Sequence, residues 1–321
     1  MKTLFDSTTL RGRALRNRVW RSATWLGMAD AQGYVTDPIV NTYQTLAQGG
    51  AAMIVTGLTS ISATDALIGG ECKFYDDSFI PGHRRFTDAV HRCGACILLQ
   101  TAMVDGLVDE LSTPQVDAIV EAFASAASRA ERAGYDGVQI HAAHFFYLSK
   151  FISPLFNHRT DRYAGAAILP AILAAMRVKT SSKFIITMKI NSTDMYPGGM
   201  DCDSFLDACR LMKGLDAIEV SANGTSRQGI RAGINEGSFL PAATRLADAV
   251  ETPVVLVGGL RSVGFINRVL NDTRIAYVSL SRPLVREPDL VRRWEQGDTT
   301  PSRCVSCNAC YSTPGHRCAF E

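Results

Sequence analysis

The chain has 321 residues, of which 46 % are hydrophobic and 20 % charged, and it carries a net charge of +2. That composition supplies a sizeable core and excludes a disordered chain, and the near-neutral charge gives no electrostatic footing for nucleic acid or an acidic membrane. The opening MKTLFDSTTLRGR lacks the apolar stretch of a secretory leader, and no apolar run approaches the ~20 residues of a spanning helix, so a soluble cytoplasmic protein is expected, with neither nucleic-acid nor membrane partners.

Eight short, β-rich apolar runs recur along the chain: residues 19–24, 52–57, 97–101, 137–141, 184–190, 217–221, 254–258 and 276–281. Most are almost continuously apolar, as strands buried on both faces are. Helical segments alternate with them. The clearest covers residues 113–133, where Val116, Ile119, Val120, Phe123, Ala127 and Ala130 recur at helical spacing; residues 201–212, 240–250 and 262–270 are further candidates. Strand followed by helix, about eight times, predicts a parallel (β/α)8 TIM barrel, for which ~250 residues suffice. A doubly wound open sheet is the alternative. The count of eight and the lack of an early G-x-G-x-x-G turn favour the barrel. Composition changes only near Trp294, so residues 1–296 are assigned to the barrel. Residues 297–321 are assigned to a short cysteine-rich tail packed on it, binding a metal or a cluster.

In such barrels chemistry sits at the C-terminal strand ends. Read in turn, these carry Ala23-Thr24, Thr56-Gly57, Gln100-Thr101, His141 with His144, Lys189, Ser221 with Asn223, Gly258-Gly259 and Ser281-Arg282. Gly258-Gly259 lets backbone approach a phosphate, and the Arg282 guanidinium adds charge-assisted hydrogen bonds to its oxygens. Tight turns beside a surface arginine are the plainer reading. Lys189 interrupts the apolar strand TMKI and needs a partner or solvent; at the barrel mouth it would stabilise negative charge on a bound ligand. Gln100 can read a pyrimidine edge with both donor and acceptor, or simply cap a strand. His141-Ala142-Ala143-His144 sends two imidazoles from one strand end. Both can donate to one carbonyl oxygen and make a conjugated carbon–carbon double bond more electrophilic. A core histidine beside a surface one is the alternative.

The run IHAAHFFYLSKFISPLFNHRTDRYAG resembles the signature of the Old Yellow Enzyme, or NADH:flavin oxidoreductase, family, in which H-x-x-[HN] precedes F-x-S-P and N-x-R-x-D-x-Y-G-G. LRNRVWRSAT, the VGG at residue 259 and SRPLVREPDL resemble further segments of that family, and the matches run from Leu4 to Leu290. The resemblance implies a barrel with non-covalent FMN, reduced by NADH or NADPH. It implies that Ala23, Thr24, Gly57, Gln100 and Lys189 line the flavin ring and that Gly258, Gly259, Ser281 and Arg282 hold the phosphate. It implies that His141 and His144 bind the activating oxygen of an unsaturated carbonyl, whose double bond takes a hydride from flavin N5. Three departures stand out. Phe146 occupies the place of the family's proton-donor tyrosine, which leaves Tyr147, one residue later, as candidate donor beside water. The wall His-Phe-Phe is bulkier than His-Gly-Tyr. Ala164 replaces a glycine. Trp25 stands where many members carry a small polar residue that tunes the flavin.

Cys304, Cys307, Cys310 and Cys318 form C-x2-C-x2-C-x7-C, a four-thiolate pattern. It resembles the run in the iron–sulfur branch of the family, which includes dienoyl-CoA reductases and amine dehydrogenases, and so implies a [4Fe–4S] cluster. Structural zinc takes four thiolates equally well. Longer members continue into domains that feed electrons through the cluster; no G-x-G-x-x-G follows the tail here, so a cluster would need a separate electron-transfer protein. A dehydrogenase working through that cluster is therefore a second reading, and a flavin-binding protein with a degenerate site a third. His316, inside the tail, reads as a surface residue, and Cys93 with Cys96 as packing. A homo-oligomer is compatible with the sequence.

Overall fold

Eight of the apolar runs become the staves of one closed sheet in the computed structural model, which describes residues 1–65, 68–103, 106–223 and 227–320; Glu321 of the expected tail lies outside them. The barrel strands are β1 (Val19–Arg21), β2 (Met53–Val55), β3 (Cys96–Ala102), β4 (Gly137–Ala142), β5 (Ile185–Asn191), β6 (Ala217–Ser221), β7 (Val254–Leu256) and β8 (Tyr277–Leu280). Every neighbouring pair is parallel, and the sheet closes where Val278 pairs with Val19 and Met53 with Cys96. The (β/α)8 architecture expected from the alternation is the one observed. Several ladders end earlier than the apolar runs. Thr24, Gly57 and Gly258 already belong to the loops, and Gly258 turns away with a φ of +100°, open to glycine at little cost.

The long helices are α1 (Asp37–Gln48), α2 (Ile80–His91), α3 (Thr113–Arg132), α4 (Ile168–Lys179), α5 (Cys202–Arg210), α6 (Leu240–Ala249) and α7 (Val263–Asp272). Local chemistry fixes their starts. Ser112 and Gln115 form a capping box on α3, Asp201 accepts from the Ser204 amide on α5, and Ser262 accepts from the Phe265 amide on α7. On α3 the predicted stripe is buried at Val116, Phe123, Ala127 and Ala130, against the sheet and α4.

The barrel interior is layered. An antiparallel hairpin, Thr8–Leu10 with Arg13–Leu15, closes the N-terminal end, and Leu10, Leu15, Trp20, Met53, Leu98 and Tyr277 form a dry plug above it. Above the plug the inward side chains become polar. Within the barrel this leaves the C-terminal mouth for a ligand. Among the described residues no helix is long and apolar enough to cross a membrane.

Candidate active site

A cavity of about 290 Å³ opens at that mouth. Its floor is a buried polar network the sequence reading missed in part. Glu219, pointing inward from β6, is 1 % exposed. Its carboxylate accepts from Ser22 Oγ at 2.6 Å, Ser279 Oγ at 2.7 Å and Gln139 Nε2 at 2.8 Å, and Lys189 Nζ lies 3.5 Å away. Gln100 Nε2 donates to Gln139 Oε1 at 2.9 Å, and Lys189 Nζ donates to Ser22 Oγ at 3.0 Å. Burial works to raise the Glu219 carboxyl, but the ammonium and the three donors outweigh it and hold it below the usual range. Lys189 thus has the partner its apolar strand demanded. The signal for that partner was present: Glu219 interrupts AIEVS as Lys189 interrupts TMKI.

The histidines stand on the wall beside Lys189. Strand register sets His141 of β4 opposite Lys189 of β5. The two imidazoles are 5.3 Å apart, edge to face at 81°. They are not equivalent. His144 sits at a φ of +64°, its amide donating to Asn191 Oδ1, and its Nε2 lies 2.9 Å from Ser221 Oγ. His141 is 3 % exposed, and among the described residues its Nδ1 has no partner. Burial, then the Lys189 charge, pushes His141 down to about 3 and His144 well below its ordinary value, so both are neutral near pH 7. A buried neutral imidazole that lines a cavity can donate an N–H to a ligand atom there.

Ala23, Thr24, Gln100, Lys189, Gly258, Gly259, Ser281 and Arg282 all line the same cavity. Gly57 does not. Its amide donates to Tyr43 Oη at 2.6 Å, and a Cβ there would fall 2.8 Å from the Thr24 carbonyl, so it supports the Thr24 loop from behind. Thr24 Oγ1 and Ser281 Oγ lie 2.9 Å apart. Gly258 and Gly259 have φ of +100° and +78°, and a Cβ on Gly258 would fall 2.6 Å from the Phe239 ring. Arg282 begins the short helix Arg282–Arg286 and is 8 % exposed, donating to Arg227 O and to Asn308 Oδ1. Paired glycines, a hydroxyl and a guanidinium around one void fit a phosphate, and the polar floor offers donors and acceptors to the ring system of FMN.

Tyr147 is placed elsewhere. It starts the short helix Tyr147–Phe151, packs its ring on Phe151 at 5.2 Å and lies outside the cavity lining. Its hydroxyl is buried with no partner among the described residues, and burial raises its pKa, opposed by Arg159. Phe146 takes the wall position instead, 4.9 Å from the His141 ring. The N–H-to-carbonyl bond from Tyr147 to Met103 fixes the helix start, so the side chain one residue after Phe146 turns into the core.

The tail differs from expectation on two counts. Cys304, Cys307, Cys310 and Cys318 line one small cavity, yet among the described residues no three groups stand in metal-ligating geometry. Cys304 Sγ lies 3.8 Å from Arg261 Nη2 and Cys318 Sγ 3.5 Å from Arg286 Nη1, so two of the sulfurs are turned to arginines. The donor types fit a four-thiolate centre; among the described residues they do not close around an ion. His316 is not on the surface. It is 3 % exposed, packs edge-on against Tyr311 at 4.6 Å, and shares with Tyr311 a place in the cavity wall.

Buried neutral histidines have a consequence for stability. His83, whose Nδ1 lies 2.8 Å from Tyr135 Oη, is pushed down to about 3 by burial, as His141 is, and His144 moves the same way. The unfolded chain protonates these groups below the ordinary value near 6.5; the folded chain resists. Their contribution is therefore complete above pH 6.5 and falls on acidification, by about 1.4 kcal/mol per pH unit for each group. Urea midpoints are expected to drop clearly between pH 7 and pH 5. Equal midpoints would contradict the buried neutral state.

A model of the NADH:flavin oxidoreductase / NADH oxidase family matches residues 3–108 and 104–300. The 4,4'-dithiodibutanoate disulfide reductase of Rhodococcus erythropolis is 27 % identical, over 99 % of this chain and 95 % of its own. Among solved structures, a 2-naphthoyl-CoA reductase in complex with 2-naphthoyl-CoA superposes with a TM-score of 0.87 at 19 % identity, covering 95 % of this chain and 54 % of that one. Histamine dehydrogenase from Rhizobium sp. 4-9 gives 0.86 at 20 %, covering 98 % and 50 %. The chain thus spans nearly all of the first relative and about half of each of these two structures, whose likeness establishes the fold.

Proposed function

The chain belongs to the NADH:flavin oxidoreductase / NADH oxidase family, and on that premise we propose that it is an FMN-dependent ene-reductase, acting on a carbon–carbon double bond conjugated to a carbonyl. Family membership supports NAD(P)H-linked flavin oxidoreduction; the alkene is the added step. The observation that carries it is His141: a buried, neutral imidazole in the cavity wall, beside His144.

Ala23, Thr24, Gln100 and Lys189 would hold the ring of FMN, and Gly258, Gly259, Ser281 and Arg282 its phosphate. When bound, FMN supplies hydride chemistry between NADH or NADPH and the substrate. His141 donates an N–H to the carbonyl oxygen and draws electron density from the double bond, the role of a preorganised oxyanion donor. Ser221 anchors His144 beside it. Lys189, itself fixed by Glu219, places positive charge on the floor, where negative charge would accumulate. Phe146 keeps the wall dry and offers no proton, and Tyr147 faces the core, so the proton for the α-carbon is assigned to water. With NADPH under anaerobic conditions, 2-cyclohexenone should be converted to cyclohexanone with one NADPH consumed per alkene. Oxidation of NADPH by the flavin without alkene loss would restrict the function to that of a flavin reductase.

A second reading, a dehydrogenase passing electrons through a tail [4Fe–4S] cluster to a protein partner, is favoured by one observation. Tyr311 and His316 bring the cysteine tail into the wall of the same cavity. Iron and acid-labile sulfide in the purified protein would support it, whereas stoichiometric zinc would make the tail structural.

A further inference from the structure

We propose that a second cavity, outside the barrel between α1, residues 284–288 and the tail, binds a small carboxylate with an apolar chain. It encloses about 620 Å³, within the range of small-molecule sites, and is about twice the size of the 290 Å³ cavity at the barrel mouth. Leu26, Met28, Leu46 and Leu284 supply apolar wall, and none of the four tail cysteines lines it.

Of the polar side chains in that wall, Asn41, Thr42, Thr45 and Arg317 are at least partly exposed, and two are buried. Arg21, at the end of β1, is 2 % exposed. It donates Nη1 to the Ser281 carbonyl, and among the described residues it forms no ion pair with a carboxylate. A guanidinium offers five N–H donors, and a buried charge without a counter-charge is costly. One carbonyl leaves that cost largely unmet. His316 is 3 % exposed, lines the same cavity, and among the described residues has no hydrogen-bond partner at either ring nitrogen. A carboxylate answers both. It accepts two parallel N–H bonds from a guanidinium, a geometry a point anion does not match, and has lone pairs left for the imidazole. Arg317 adds positive charge to the lining. The apolar chain of the ligand would cover Leu26, Met28 and Leu46, which inorganic phosphate would leave bare.

His316 also walls the cavity at the barrel mouth and stands edge-on to Trp25, with ring centroids 6.4 Å apart. An occupant of the outer site would therefore touch a residue of the inner one. The site stands on Arg21 and His316 and is independent of the alkene chemistry.

The test is calorimetric titration of the FMN-loaded protein with hexanoate while saturating p-cresol occupies the barrel mouth. One equivalent of hexanoate should bind. Arg21→Met should weaken it roughly 10- to 100-fold, as expected for loss of a hydrogen bond to a charged group. Thr42→Trp, which fills the cavity from α1, should weaken it to a similar extent while FMN binding and its bleaching by NADPH stay unchanged. If Arg21→Met does not fold, Thr42→Trp alone decides. Displacement of hexanoate by p-cresol, equal affinity in Thr42→Trp, or no binding to the wild-type protein would each overturn the proposal. A colourless protein that still takes up hexanoate would sink the flavin assignment and leave this site standing.

Discussion

His141→Ala should lower kcat/KM for a 2-enone by roughly 10²–10³-fold while FMN stays bound, the effect usual for deleting one preorganised donor to a developing oxyanion. Among the described residues His141 Nδ1 is buried and unpartnered, whereas His144 Nε2 is already engaged by Ser221 Oγ at 2.9 Å. The pair is therefore asymmetric, and His144→Ala should cost less than His141→Ala. Because burial holds His141 near 3, its ionisation should leave no step in the rate between pH 5 and pH 8. Phenols, which present an oxygen to the same donor, should bind more weakly to His141→Ala in parallel. Unchanged enone kinetics and unchanged phenol affinity together would remove His141 from the site.

Lys189→Met should destabilise the protein by about 3–5 kcal/mol, the usual cost of leaving one member of a buried ion pair alone. Glu219 is the group left behind. Its carboxyl stays low because Lys189, Ser22, Ser279 and Gln139 together overcome burial. Without the ammonium, burial gains the upper hand and the folded-state pKa rises. A carboxyl raised in the fold binds its proton there more tightly than in the unfolded chain. The loss relative to wild type should therefore be largest at neutral pH and shrink on acidification. Adding Glu219→Gln should recover much of the stability, since the amide carries no charge to compensate, yet should not restore flavin reduction. Denaturation midpoints of the two variants at pH 7 and pH 5 check both statements. A Lys189→Met protein as stable as wild type at pH 7 would contradict the buried pair.

The barrel was legible because its signal is long-range and redundant. Eight apolar runs at βα spacing leave few alternatives, and the strand ends that line the cavity can be counted off them. The site was legible where a polar residue breaks an apolar run, as Lys189 does. Glu219 gives the same signal on the next strand, in register with Lys189. Gly57 misled because adjacency to Thr24 in space is support from behind, not exposure to the cavity. Tyr147 misled because direction along the chain does not say which way a helix start turns its first side chain. His316 misled most. A histidine in a polar loop reads as solvated, and nothing local reveals that residues 304–320 fold back so that Trp25 and Tyr311 enclose it. The tail cysteines show the limit of spacing: C-x2-C-x2-C-x7-C brings four thiols around one cavity, but Arg261 and Arg286 face two of the sulfurs.

The central claim is that the cavity over Lys189, Gln100 and His141 is built for FMN. Its most direct test is the visible spectrum of the purified protein, reconstituted with FMN and then titrated anaerobically with NADH or NADPH. A flavin absorbance near one equivalent per chain that bleaches on addition of the nicotinamide is the predicted result. A protein that stays colourless after incubation with FMN would contradict the account.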